Sequence, residues 1–329
     1  MKNTKFRIGI IGAGWIADKM AETLTGLAGD YEKYAIASRD LDKARAFASQ
    51  WGFTKAYGSY KELVEDPEVD LVYIATPHSH HLEHASLAIE AGKPVLCEKA
   101  FTANARQAEQ LLDLAHKKGV FITEAIWTRY MPLSLKVREI IENGTIGEPL
   151  QLSASLCYPM MEKPRIVRPD LAGGALLDLG VYCIHFARMY FGSDIEQTVS
   201  SCRLLESGMD YYNQETLYYR DGRVANLQSS AMSRCNRQGL ITGSNGFIVV
   251  DNVNSPEGVH VYNLDYQLTA EYFPPKGQVT GYEYQVIASR EAIQAGLLES
   301  PFITHNETLD VMRQMDALRA EWGVKYPFD

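Results

Sequence analysis

The stretch Ile8-Gly9-Ile10-Ile11-Gly12-Ala13-Gly14-Trp15-Ile16-Ala17 constrains this chain more than any other. An apolar run enters G-x-G-x-x-A and an amphipathic stretch leaves it, the order of a strand, a tight turn and a helix. Gly12 permits the turn, Gly14 lets a pyrophosphate approach the backbone, and the small Ala17 lets helix and strand pack closely. The N–H groups at the helix start, at Trp15 and Ile16, then favour phosphate oxygens. Alone, such a pattern is an ordinary glycine turn. At the head of a strand-helix series it reads as a dinucleotide-binding turn.

That series follows. Strands are expected at Phe6–Ile11, Tyr34–Ser38, Leu71–Ala75, Val95–Glu98 and Val120–Thr123, with helices near Trp15–Leu24, Leu41–Trp51, Ser79–Ala91 and Ala105–Lys118 between them. This is the pattern of a parallel α/β Rossmann sheet. Beyond about residue 147 the texture becomes alternating, at Leu150–Leu156, Glu215–Tyr219, Val224–Ser229, Gly239–Thr242 and Phe247–Asp251, with Asp221-Gly222 and Asn245-Gly246 as turns. A helix is expected at Gly180–Tyr190 and two more at Tyr284–Ala295 and Asn306–Trp322. The reading is a dinucleotide-binding domain over 1–125 and an α+β domain over 126–329 with an open, mostly antiparallel sheet. That second domain is expected to serve substrate binding and dimerisation, with the last helix returning to the first domain.

A chain of 329 residues holds two such cores. The formal charge of −9 argues against a nucleic-acid surface, and no apolar run suggests a membrane span. Met1–Lys5 precedes an apolar run broken by Arg7, Gly9, Gly12 and Gly14, unlike a secretory signal. Five scattered cysteines without a C-x-x-C pair suit a reducing cytoplasm.

The end of the second strand should select the cofactor. An acid there suits the ribose 2′-hydroxyl of NAD, whereas a 2′-phosphate needs cationic and small polar partners. The chain has Ser38-Arg39-Asp40, so NADP(H) is favoured, with NAD(H) left open by Asp40. After the next strand, Thr76, Pro77 and His80 are expected to form a polar wall beside the nicotinamide ribose. The histidine run 78–84 lacks an acidic partner at a supporting interval, so no metal site is expected. Glu98 and Lys99 leave the following strand at its carboxyl end, where ligands of such sheets lie. Asp178 and Tyr182 stand at i and i+4 and share a helix face. By spacing alone, a helix cap and a core tyrosine is the simpler reading of that pair.

Together, Gly12–Ala17, Glu98-Lys99 and Asp178-x-Gly180-x-Tyr182 resemble the glucose-fructose oxidoreductase/inositol dehydrogenase/rhizopine catabolism (Gfo/Idh/MocA) family. Glu124-Ala125-x-Trp127-Thr128-Arg129 and Gly173–Tyr182 look most like its dihydrodiol dehydrogenase and NADP-dependent D-xylose dehydrogenase branch. The resemblance spans nearly the whole chain. It implies a catalytic set of Lys99, Asp178 and Tyr182, the tyrosine standing where sugar and inositol dehydrogenases of the family have histidine. A free phenol titrates near pH 10, so a cation such as Lys99 is needed to make its anion accessible.

The resemblance also puts Trp127 and Arg129 beside the nicotinamide and implies a homodimer. Arg165, Arg168, Tyr158 and Phe273 are further candidates for the substrate pocket, and a tyrosine-rich strand with Tyr211, Tyr212, Tyr218 and Tyr219 is the candidate partner surface. The family commonly has Glu-Lys-Pro where this chain has Glu98-Lys99-Ala100, which leaves open whether the Lys99–Ala100 bond is cis. The expected activity is NADP-dependent hydride transfer to or from a sugar, polyol, trans-dihydrodiol or small carbonyl compound. The alternatives are a non-catalytic NADP(H) sensor and an NAD-dependent glycosidase.

Overall fold

The structure, a computed structural model, describes residues 5–329; the expectation that Met1–Thr4 opens no secretory leader lies outside the described residues. The chain divides into two compact units, Met1–Ile126 with Gln278–Met312, and Trp127–Gly277 with Arg313–Asp329.

The first unit opens with β1 (Phe6–Ile11), α1 (Trp15–Gly26), β2 (Tyr31–Ala37), α2 (Leu41–Trp51), β3 (Lys55–Tyr57) and α3 (Tyr60–Glu65). It continues with β4 (Leu71–Ile74), α4 (His81–Glu90), β5 (Val95–Glu98), α5 (Ala105–Lys118) and β6 (Ile122–Ala125). The six strands pair in parallel in the order β3-β2-β1-β4-β5-β6. Every residue of β4, β5 and β6 is buried, as a sheet covered on both faces requires. The helices start where side chains satisfy the first N–H groups. Asp40 accepts from Asp42 and Lys43, Asn104 accepts from Gln107, and Ser59 forms a capping box with Glu62.

The returning segment Gln278–Met312 belongs to this unit. The His305 ring donates from Nε2 to the Ile122 carbonyl at 2.9 Å, and Thr308 donates to Glu124 Oε2 at 3.3 Å.

The second unit holds α6 (Pro132–Glu142), β7 (Pro149–Cys157), α7 (Pro164–Val167), α8 (Val181–Phe191), β8 (Ile195–Leu204), β9 (Asp210–Tyr219) and β10 (Val224–Ser230). Then follow β11 (Gly239–Gly243), β12 (Gly246–Asp251), β13 (Gly258–Tyr262) and β14 (Leu268–Tyr272). They form one sheet in the order β14-β13-β12-β11-β7-β10-β9-β8. All pairs are antiparallel except β7 with β10. The chain closes with α9 (Glu283–Gln294) in the first unit and α10 (His305–Trp322), which begins in the first and ends in the second.

One face of this sheet carries the core. Leu152, Ala154 and Leu156 of β7 are buried, whereas Ser153 and Ser155 between them are half-buried on the other face. α8 lies on the core side, where Gly239 of β11 accepts the Phe186 ring: a Cβ at that glycine would sit 2.2 Å from the ring. The segment Pro169–Phe191 is apolar and long enough to pass for a membrane span, but it is largely buried, and α8 at its end is the core helix of this unit.

Alternation also corrects the tyrosine surface. Tyr219 is buried in the core, edge-on to Phe191 at 5.6 Å, and Tyr211 shares its parity, so only Tyr212 and Tyr218 stand on the open face.

Candidate functional site

The nucleotide end of the first unit is shaped by backbone. Gly12 has φ +100°, and a Cβ there would meet the Ala75 carbonyl oxygen at 2.9 Å, so glycine is required for β1 to turn beside the end of β4. Gly14 is the reverse: the space where its Cβ would stand is empty to 4 Å. That opening lies at the start of α1, where the first helical N–H groups, from Trp15 and Ile16 on, have no helical acceptor behind them. Ala17 is fully buried on the other side of the turn. A pyrophosphate therefore fits this turn, with room at Gly14 and donors at the helix start.

At the end of β2, Ser38 is buried and its hydroxyl accepts from the Asp40 N–H at 3.3 Å. Asp40 Oδ1 accepts from the N–H groups of Asp42 and Lys43 at 3.0 and 3.1 Å. Its carboxylate is committed to capping α2. Arg39 between them is exposed.

After β4, Thr76 Oγ1 bonds His84 Nδ1 at 3.0 Å, and the His80 and His84 rings stack 5.5 Å apart. Among the described residues no group of three His, Cys, Asp or Glu side chains is arranged to hold a metal ion.

His81, to which the sequence gave no role, ties two loops together. Its Nε2 lies 2.7 Å from the Thr76 carbonyl oxygen and its Nδ1 3.0 Å from that of Ala100. Burial pushes this imidazole down to about 4, against the backbone carbonyls of Thr76, Ala100 and Phe101, which favour its protonated form. Its only signal in the sequence was a histidine run just past a strand end.

Glu98 and Lys99 end β5. The buried Glu98 carboxylate accepts from the Tyr73 hydroxyl and from the Lys99 N–H at 3.2 Å, which fixes the backbone from which Lys99 departs. The Lys99–Ala100 peptide bond is cis.

In the second unit Asp178 lies in a π-helical turn, Leu176–Gly180, and Tyr182 in the first turn of α8. Both are buried. Trp127 Nε1 donates to the Tyr182 hydroxyl at 3.0 Å, and Arg165 Nε donates to Asp178 Oδ2 at 3.1 Å. One turn on, His185 Nδ1 accepts from Arg129 Nε at 2.9 Å, and burial between two arginines holds its ring well below the usual histidine range. His185 went unnoticed in the sequence, although it stands three residues after Tyr182 on the same face.

The structure thus gathers Trp127, Arg129, Arg165, Asp178, Tyr182 and His185 around the start of α8. Three further candidates of this unit lie elsewhere in it. Arg168 pairs with Asp170 on an exposed turn, and Phe273 follows β14 with its ring edge-on to His260 at 6.1 Å. Tyr158 follows β7, its hydroxyl 3.0 Å from Arg237 Nη1 and donating to Asn254 Oδ1 at 3.3 Å. The adjacent Asn254 carbonyl accepts from Thr128 at 2.6 Å, so Tyr158 is linked through Asn254 to the Trp127 turn.

Comparison with known proteins places this geometry. Residues 6–125 match an oxidoreductase family with an NAD-binding Rossmann fold, and residues 134–249 match the C-terminal domain of the same GFO/IDH/MocA family. The trans-1,2-dihydrobenzene-1,2-diol dehydrogenases of Mus musculus and Danio rerio are 33% and 34% identical, each aligned over 98% of both chains. A crystal structure of a 3-ketoreductase from Actinomadura kijaniata, in complex with NADP and TDP-benzene, is 28% identical with a TM-score of 0.85, covering 96% of this chain and 98% of the other. With both domains matched in order and relatives above 30% identity end to end, this chain belongs to the GFO/IDH/MocA family of NAD(P)-dependent oxidoreductases.

Proposed function

We propose that the protein is an NADP(H)-dependent dehydrogenase or reductase acting on a sugar, polyol, trans-dihydrodiol or small carbonyl compound, with Tyr182 and Lys99 as its proton relay. The observation that carries this reading is the buried Tyr182 phenol, its oxygen fixed by Trp127 Nε1 at 3.0 Å, one turn beyond an Asp178 that is ion-paired to Arg165. The names of the relatives support the substrate range.

When bound, the dinucleotide supplies the nicotinamide carbon that gives or takes hydride. Gly12, Gly14, Trp15 and Ile16 would hold its pyrophosphate, Ser38 and Arg39 its 2′-phosphate, and Thr76, Pro77, His80, Glu98, Trp127 and Arg129 its nicotinamide half. In oxidation Tyr182 Oη takes the substrate hydroxyl proton, and in reduction it returns it. The Trp127 N–H favours the phenolate, because a hydrogen bond donated to the oxygen stabilises the charged form. The Lys99 ammonium favours negative charge on the reacting oxygen. Asp178, held by Arg165, orients the substrate hydroxyls. The homodimeric state and a cytoplasmic location belong to the same reading, the first supported by the open sheet face and the second by five free thiols.

Reduced-nicotinamide absorbance with a panel of trans-dihydrodiols, aldoses, polyols and dicarbonyls tests the reaction. Tyr182→Phe is expected to lower kcat by about 10²–10⁴-fold with NADPH binding unchanged. Full turnover in this variant would end the relay assignment, and NADPH binding without turnover across the panel would favour a sensor.

Cofactor choice rests on Asp40 being used as a helix cap while Arg39 stays exposed. Arg39→Ala is expected to raise the KM for NADPH by roughly tenfold or more, from the loss of a charge-assisted bond of about 1.5–3 kcal/mol, and to leave NADH kinetics unchanged. Wild-type protein using NADH as well as NADPH would remove the preference.

A further inference from the structure

Strand pairing puts Asn213 of β9 opposite Ser229 of β10, and both side chains are fully buried on the core face beside Leu217 and Leu227. Asp210, at the start of β9, is buried with them. Three polar side chains in an apolar layer are costly unless each is bonded, and a bonded set fixes one arrangement of whatever it touches.

These three form a continuous chain of hydrogen bonds. Ser229 Oγ donates to Asn213 Oδ1 at 2.7 Å, and Asn213 Nδ2 donates to Asp210 Oδ2 at 2.7 Å. The same carboxylate oxygen accepts the Leu176 N–H at 2.8 Å. The chain thus ends on the first residue of the π-helical turn Leu176–Gly180. The last residue of that turn is seated on the same network: a Cβ on Gly180 would stand 3.3 Å from Ser229 Oγ and 3.4 Å from Asn213 Oδ1. Just before the turn, Gly174 has φ +119° and runs so close to Asp210 that a Cβ would fall 2.2 Å from Oδ1. Asp178 is the middle residue of the five held in this way.

A π turn is a rare geometry, and here the Val181 N–H reaches back to the Leu176 carbonyl, five residues away rather than four. Reverting to an α turn shifts the register by one residue, about 100° of rotation. Such a shift would carry the Asp178 carboxylate off Arg165 Nε, which it now meets at 3.1 Å.

We propose that Asp210, Asn213 and Ser229 are positioning residues for Asp178: they hold the π turn open and, through it, aim the carboxylate that orients the substrate. Their role rests on Asp178 orienting the substrate hydroxyls, as proposed above. Asn213 is the joint of the network, because its amide donates to the carboxylate on one side and accepts from the hydroxyl on the other.

The test compares Asp210→Ala, Asp210→Asn and Ser229→Ala, each alone and combined with Asp178→Ala, by kcat and KM on a substrate found in the panel and by NADPH affinity. Asp210→Ala and Ser229→Ala should lower kcat/KM by about ten- to a hundredfold with NADPH affinity unchanged. Asp210→Asn, which keeps an oxygen for the Leu176 N–H and the Asn213 amide, should recover most of that loss. On the Asp178→Ala background the same substitutions should cost about twofold or less, because the group they aim is gone. Equal losses on both backgrounds would mean a core loosened at large and would overturn the positioning role, as would wild-type kcat/KM in Asp210→Ala. Should Asp210→Ala not fold, Ser229→Ala, which removes one oxygen, carries the comparison.

A second readout needs no turnover. In a crystal structure of Ser229→Ala or Asp210→Ala, the bond from Arg165 to Asp178 should be broken and the Val181 N–H should bond the Leu177 carbonyl. An unchanged turn would overturn the proposal even in an active enzyme. A shifted turn in a protein whose wild type converts no member of the panel would end the assigned reaction instead, and would uphold the link between the network and the turn.

Discussion

Glu215 shows how a single buried group makes stability depend on pH. It sits on β9 with no hydrogen-bond partner at Oε1 among the described residues, and burial, reinforced by Asp210, pushes its carboxyl up to about 8. Asp210 is pushed up to about 6 by burial, against hydrogen bonds from Asn213 and from the Leu176 N–H, which ties it to the turn that carries Asp178. An ordinary glutamate loses its proton near 4.3. Between that pH and about 8 the unfolded chain has shed a proton that the native state keeps, so native stability falls as pH rises through this window and levels off above it. Glu215→Gln, neutral at every pH, should remove most of that slope. Melting temperatures from pH 5 to 9 should fall less steeply for the variant, by the equivalent of up to a few kcal/mol at the alkaline end. Parallel profiles would mean that Glu215 is ionised in the folded protein.

The same scale marks what the sequence could not say. Ser38-Arg39-Asp40 left two cofactors open because an aspartate after a strand is either a ribose ligand or a helix cap, and nothing in the sequence separates the two; in the structure the Asp40 carboxylate caps α2. Tyr219 looked like its neighbour Tyr218, but strand parity sends one inward and the other outward.

Elements were legible in proportion to how one-sided their surroundings are. β4 is a continuous apolar run and β1 and β5 are apolar apart from Arg7 and Glu98, because the sheet is covered on both faces, and α2 and α5 are bounded by their own chemistry, Asp40 and Gly52 at one, Asn104 and Gly119 at the other. The elements missed lack such signals. β3 is a three-residue edge strand, and β8 is a sheet-edge strand with no buried residue, so no apolar alternation marks it. β13 and β14 form the other edge, where His260 and Glu271 occupy facing positions. α6 and α3 were likewise missed, the first although Pro132 stands at its opening turn.

Lys99, Asp178 and Tyr182 were singled out as a set only through the family resemblance, since spacing alone made the last two a helix cap and a core tyrosine; the Trp127 bond to Tyr182 joins positions 55 apart and depends on where α8 is seated. That seat is set by Phe186 lying over Gly239, a contact between a helix and a strand on opposite sides of the β8–β10 excursion.

At the scale of the whole molecule the open face of the eight-stranded sheet remains to be covered. Neighbouring strands stand about 4.8 Å apart, so eight span roughly 34 Å, and at about 3.4 Å per residue six residues of each cover roughly 20 Å. The product, on the order of 700 Å², approaches the ~800 Å² that each partner contributes to a standard stable interface. Parity puts Val199 and Tyr218 on this face with half-buried Leu240, Phe247, Val249 and Tyr262, and the Phe247 and Tyr262 rings stack 4.8 Å apart. Gln151, Ser153, Ser155, Gln214, Thr216, Asn226, Gln228 and Thr242 fill in between them. Uncharged along its middle strands and mixed with aromatics, with Arg203, Asp251, His260 and Glu271 on the same face of the flanking strands, this surface suits a second copy of the chain better than bulk water.

Light scattering during size exclusion should therefore report twice the 36.9 kDa chain mass at micromolar concentration. Leu240 is the residue to change, since β11 lies near the middle of the strand order and a carboxylate there would be desolvated twice in a two-fold interface. Leu240→Glu should elute as a monomer with an unchanged far-UV spectrum, whereas Leu264→Glu, at an exposed position in the turn between β13 and β14, should remain a dimer. A wild-type chain that runs as a monomer would show that this face meets water in solution, and a Leu240→Glu dimer would move the interface to another surface of the protein.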